Sequence, residues 1–123
     1  MSNSSFGEGL ENIVAGSYAH VEGYGNIAAG NFGHAEGRET KSGYAAHAEG
    51  MRNIASHNYS HAEGYSTLAS GLASHAEGRG TQATDEYAHA EGVDTIAFGK
   101  YSHAEGQKSQ ANGEVAHVEG KEN

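Results

Sequence analysis

The chain has no cysteine, no proline and no tryptophan, and only two methionines in 123 residues. Without cysteine there are no disulfides and no thiolate metal sites. Large aliphatic residues are too few for a monomeric globule built around one wide hydrophobic centre. No apolar run is long enough for a signal peptide or a membrane span, so this stretch carries no export address of its own and no membrane contact is expected. Cationic residues are also scarce: seven Lys and Arg face sixteen Asp and Glu, for a net charge of −9. No basic patch exists, which argues against nucleic acid or an anionic lipid surface as a partner.

What is abundant is glycine, 19 residues of it, together with one recurring word. His-Ala-Glu-Gly occurs six times and twice more with Val for Ala, starting at His20, His34, His47, His61, His75, His89, His103 and His117. The period is 14 residues with a single interval of 13. Low hydrophobicity with net charge is a signature of disorder, but a strict register over the whole length is the signature of a repeat architecture. A 14-residue unit before the first word begins at Phe6, where Phe and Gly replace His and Ala; Phe6 reads as a terminal cap. The expected organisation is a disordered tail over 1–5 and one repeat domain over 6–123.

Columns carry more than rows. The fourth position from each His is always Gly: Gly9, Gly23, Gly37, Gly50, Gly64, Gly78, Gly92, Gly106 and Gly120. The eleventh is Gly except at His57 and Asp85. Both columns read as tight turns with positive φ, which leaves two strands of about four residues per unit, and glycine at two fixed places in every repeat rules out a helix. Strand alternation places the His and Glu of each word on one face and Ala or Ser on the other. The seventh position is Asn, Thr or Ser throughout, including Asn123, and the ninth is nearly always tiny. These small residues should face one another in a narrow interior, with the Asn/Thr column bonding inside the coil rather than forming an exposed Thr array. The predicted fold is all-β: a parallel β-solenoid of stacked coils about 4.8 Å apart.

Nine of the sixteen acids are Glu8 and the Glu of the words, and the other seven equal the seven Lys and Arg in number. The excess charge therefore stands in one column beside a column of eight His. Stacked Glu at strand spacing repel one another. Packing this face against other copies, with His N–H groups meeting carboxylates, would relieve the repulsion. The expected interface comprises His20, Glu22, His34, Glu36, His47, Glu49, His61, Glu63, His75, Glu77, His89, Glu91, His103, Glu105, His117 and Glu119. Tyr18, Phe32, Tyr59, Tyr87 and Tyr101, all at position thirteen, add apolar area at its edge.

The segment SHAEGYSTLASGLA, Ser60 to Ala73, resembles the YadA-like head repeat of trimeric autotransporter adhesins, approximately S-V-A-I-G-x-x-A-x-A-x-G-x-x, with both glycines and the small positions in register. The resemblance runs from about Phe6 to Gly120 and implies a left-handed parallel β-roll assembled as a homotrimer. In that family Val and Ile of the inner strand line the threefold axis; here His and Glu replace them in every full unit, so the implied axis is polar. SHAEG-type arrays also resemble phage and prophage tail appendage segments. Together these imply an extracellular location, on a bacterial surface or a virion, and a structural fibre or head segment that holds a rigid rod for attachment to a host receptor or glycan.

Three chemistries fit His beside Glu. The first is the structural polar interface, which can fix register and oligomeric state. The second is a metal-binding module, with axial His and Glu rings holding Zn, Ni or Fe. The third is acid–base catalysis, but eight equivalent pairs without a distinct pocket residue make a poor active site. The expectation is a non-enzyme without cofactor or metal. His57, the one His outside the word, reads as a turn residue, and Arg38, Glu39, Arg79, Lys100 and Lys108 as solvated surface. If His is charged and paired, its pKa is raised and stability peaks between the His and Glu titrations; a neutral, N–H-donating His leaves the alkaline limb flat.

Overall fold

A computed structural model describes residues 4–122. Residues 1–3 of the tail expected at 1–5, and Asn123 of the Asn/Thr column, lie outside the described residues. Ser5 is held by a 2.7 Å hydrogen bond from its Oγ to the carbonyl of Gly16.

The chain is a β-solenoid of about eight turns of about 14 residues, with no helix among the described residues. Nine five-residue strands form one parallel sheet: Phe6–Leu10, His20–Tyr24, His34–Arg38, His47–Met51, His61–Tyr65, His75–Arg79, His89–Val93, His103–Gln107 and His117–Lys121. Eight two-residue strands, from Ile13–Val14 to Gln110–Ala111, form a second parallel sheet. Pairing is strictly in register, so His75 stands over His89, Ala76 over Ala90 and Glu77 over Glu91. The two strands of a turn are therefore unequal, five and two residues rather than about four each. The reason lies in the fourth-position glycines. Their φ values of 110–119° are open to glycine alone in practice, yet ladder pairing continues through them to the next residue.

The tight turns themselves fall elsewhere. Left-handed backbone is found at position six, for example Glu39, Arg52 and Ser66 with φ of 57°, 58° and 55°, and at position thirteen, where Tyr18, Tyr59 and Tyr87 have φ of 57°, 60° and 59°. Position-eleven residues instead accept the closing hydrogen bond of the second turn, as from Ser74 N to the Gly71 carbonyl at 3.1 Å. The expectation that the eleventh column needs positive φ is thus corrected. Gly16, Gly30, Gly71 and Gly99 in that column lie close against the next turn, and a Cβ on Gly71 would overlap the Asp85 carbonyl. His57 and Asp85, in the same column, do not have positive φ.

The core is a spine of methyls. Ala62, Ala76, Ala90 and Ala104 from the first sheet meet Ala55, Ala69, Ala83 and Ala97 from the second, all fully buried. Position seven closes the gap where the chain bends. Asn53 Nδ2 donates to the carbonyls of Glu49 (2.6 Å) and Gly64 (2.7 Å), and its Oδ1 accepts from Thr67 N and Thr67 Oγ1, both at 2.9 Å. The Asn/Thr column therefore bonds within the coil, and it satisfies backbone groups that a dry interior would otherwise leave unpaired.

The 13-residue turn loses its residue at the second corner. Gly43 N donates to the Ala55 carbonyl and the Gly43 carbonyl accepts from Ala46 N, so one glycine fills positions ten and eleven together. The same turn holds the flaw of the core. Ser42 takes the place of Ala at position nine, is 2% exposed, and its Oγ has no hydrogen-bond partner. An unpaired buried hydroxyl costs about 1–3 kcal/mol, offset here by the methyl-sized space it fills opposite Gly33. Ser42→Ala is expected to stabilise the chain by about 0.5–1 kcal/mol, read as a rise in denaturant midpoint at unchanged slope; a lower midpoint would refute it.

Candidate functional site

All eight word His and their Glu project from the outer face of the five-residue sheet, because alternation sends the intervening Ala inward. The sixteen residues expected to form an interface thus share one continuous face. In-register pairing stacks the imidazoles into a column, with centroids 4.5–4.8 Å apart and planes within 12° of parallel. Phe6 sits on the end of this column, 5.0 Å from the His20 ring.

The Glu carboxylates run alongside. Within each word the His Nε2 to Glu Oε separation is 3.7–4.0 Å at His34, His47, His61 and His75, too long for a hydrogen bond. It narrows to 3.3 Å at His89–Glu91 and His103–Glu105. The Nε2 atoms of His20, His34, His47, His61 and His75 are shielded from solvent and lack a hydrogen-bond partner. Glu77, Glu91, Glu105 and Glu119 border an open groove floored by Gly92, Gly106 and Gly120. The glycine column thus has a second effect: it leaves the groove floor without side chains.

Stacking bears on the protonation of three of these rings. Burial against neighbouring rings lowers the pKa of His34, His61 and His75, and charge on adjacent imidazoles lowers it further, outweighing the nearby carboxylates. This reverses the direction expected for charged His–Glu pairs and favours the neutral imidazole. Glu77 is held below the usual carboxylate value, first by its hydrogen bond with Glu63, with His75 also contributing.

The aromatics of position thirteen form contacts of their own along the rod. Tyr18 stacks on Phe32 at 5.4 Å, and Tyr87 on Tyr101 at 5.2 Å. In the shortened turn Tyr44, one place earlier in the unit, takes the seat and meets Phe32 and Tyr59 edge-on, at 5.9 Å each. These rings remain about half exposed, from 40% at Tyr44 to 60% at Tyr59. His57 lies outside the face; its Nδ1 accepts from Asn58 N at 2.8 Å, a local turn contact.

The expected columns were legible from strand alternation. The stacking of His on His was not anticipated, although identical residues at a constant period in a parallel sheet must stack. The left-handed backbone at the position-thirteen aromatics was also missed, because aromatics give no warning of positive φ. Two groups bring three ligand-type atoms within 4.8 Å of one another: His89, Glu91 and His103, and His103, Glu105 and His117. No protein-family model matches the chain, and no curated protein matches it.

Proposed function

We propose that this chain is a structural segment of a fibre, in which three copies of the solenoid stand side by side with their His/Glu faces turned toward a common axis. The observation that carries this reading is the face itself: an uninterrupted column of imidazoles and carboxylates whose side chains from His34 to Glu105 are only 32–41% exposed, with five ring nitrogens shielded and unpaired, and half-exposed aromatic rings at position thirteen. A spine of Ala methyls gives each turn little apolar burial, about 0.8 kcal/mol per methyl-sized group. Covering one flank supplies what the spine lacks. Partner N–H and carboxylate groups would also satisfy the shielded nitrogens and separate the Glu charges.

The role is mechanical and presentational. Eight turns at strand spacing make a rod roughly 40 Å long, suited as a spacer or head segment of a bacterial surface adhesin or a phage tail appendage. The likeness of its repeat to the left-handed YadA-like head supports the same reading. A host receptor or glycan would be met by the variable outer corners.

Sedimentation equilibrium of the tag-free chain tests the assembly. The expected mass is three times 12.8 kDa. A folded monomer at micromolar concentration, with an undiminished β-sheet spectrum, would remove the reading.

A further inference from the structure

We propose that the C-terminal half of the His/Glu face, where His89, Glu91 and His103 converge and His103, Glu105 and His117 repeat the arrangement, binds one divalent ion of the borderline class, Zn²⁺, Co²⁺ or Ni²⁺, within a single chain. The inference does not rest on the trimer.

The geometry favours these rungs over the others. With metal–ligand distances of about 2.0–2.1 Å, a nitrogen and an oxygen 3.3 Å apart subtend about 105° at the ion, close to tetrahedral. The pairs at His34, His47, His61 and His75 are 3.7–4.0 Å apart and must close further to chelate. A third ligand atom is supplied from the next turn, because in-register stacking places His103 against His89, ring centroids 4.5 Å apart. Stacked rings point their lone pairs in parallel, so His103 must turn about its χ2, a soft, broad torsion, to reach the same ion. Two imidazoles and a carboxylate are a donor set that borderline ions prefer to Mg²⁺ or Ca²⁺, and water completes the coordination.

Electrostatics assists, because the Glu column concentrates cations at the face. His103 belongs to both triads and has one Nε2, so a chain fills one of them at a time. The stoichiometry should therefore be one ion per chain.

Zn²⁺ titrated calorimetrically into the chelator-stripped, tag-free chain at pH 7.5 should saturate at about one ion per chain. Co²⁺ should give a visible absorption band of the intensity of a four-coordinate site. His103→Gln, which removes the shared ligand, should abolish saturation, while His61→Gln, an equivalent place in the stack, should leave it unchanged. Should His103→Gln lose its β-sheet spectrum, the near-isosteric pair Glu91→Gln and Glu105→Gln takes its place with the same expectation. No saturable binding, equal loss in His61→Gln, or one ion per three chains would overturn the single-chain site. A monomer that binds one ion would sink the trimer and leave this inference standing.

Discussion

Gly64→Ala is expected to abolish cooperative folding of the rod, at a cost of about 4 kcal/mol or more, whereas Gly113→Ala should change stability by less than about 0.5 kcal/mol. Gly64 has φ of 118°, and a Cβ built on it would overlap the carbonyl oxygen of Gly78 in the next turn. Both faults are backbone against backbone, so no side chain can yield to relieve them. Separating the two turns would break the ladder between His61–Tyr65 and His75–Arg79 and expose the Ala spine on both sides. In a one-dimensional stack each turn is stabilised chiefly by its neighbours, so the damage divides the rod into two short halves. Gly113 lacks positive φ, and the nearest atom to its Cβ position is the Ala116 methyl at 3.8 Å. Thermal and urea melts followed by far-ultraviolet circular dichroism compare the two. Equal losses would show that glycine is used here only for general flexibility.

Acidification should destabilise the rod before any carboxylate titrates. His34 and His61 resist protonation in the folded chain, first because they are buried and then because a charged neighbour opposes a second charge. The unfolded chain protonates its His near pH 6.5. It therefore takes up more protons than the folded chain as pH falls below that value, and stability declines toward the lower folded pKa. Above pH 7 this contribution is fully present and the curve is flat. Glu77 acts in the same direction at lower pH, where protonation removes the stability associated with its depressed pKa. The rings are about one-third exposed, so solvent screening reduces each effect. A summed cost of about 1–2 kcal/mol would lower the melting temperature by about 4–8 °C between pH 7.5 and pH 5. The measurement is a series of melts in the presence of chelator, at constant ionic strength. A melting temperature that rises on acidification through pH 6 would mean that charged His–Glu pairing prevails over burial.

Most of this architecture was legible because a 14-residue period fixes which residues stand above one another. Once His61, His75 and His89 share a column, strand alternation decides that Ala62, Ala76 and Ala90 form the spine and that Glu63, Glu77 and Glu91 share the outer face. The inward role of Asn53 and Thr67 followed from the same parity. Strand lengths and the sites of positive φ were not legible. Gly64 suggests a turn by residue type but sits inside a paired strand, and Tyr59 suggests a strand but occupies a left-handed corner. Composition records what a position tolerates, and tertiary stacking decides which tolerance is used. The lowered pKa of His34, His61 and His75 was not legible for a related reason. The carboxylate two residues away is visible in the sequence, but the imidazoles above and below it act only once the register is formed.

The shortened turn at Gly43 bears on how such a rod could change length over generations. Every other turn repeats the same in-register strand pairing, so an in-frame duplication or loss of one whole 14-residue unit would lengthen or shorten the rod by one strand spacing and leave both neighbouring turns with native partners. Partial deletions are confined far more narrowly. The missing residue lies at the corner where Gly43 alone donates to Ala55 and accepts from Ala46, while the His, Ala and Glu columns pass through that turn without a break. The chain behaves as a ruler whose divisions can be added or removed whole, and whose single irregular division marks where the spacing tolerates an error.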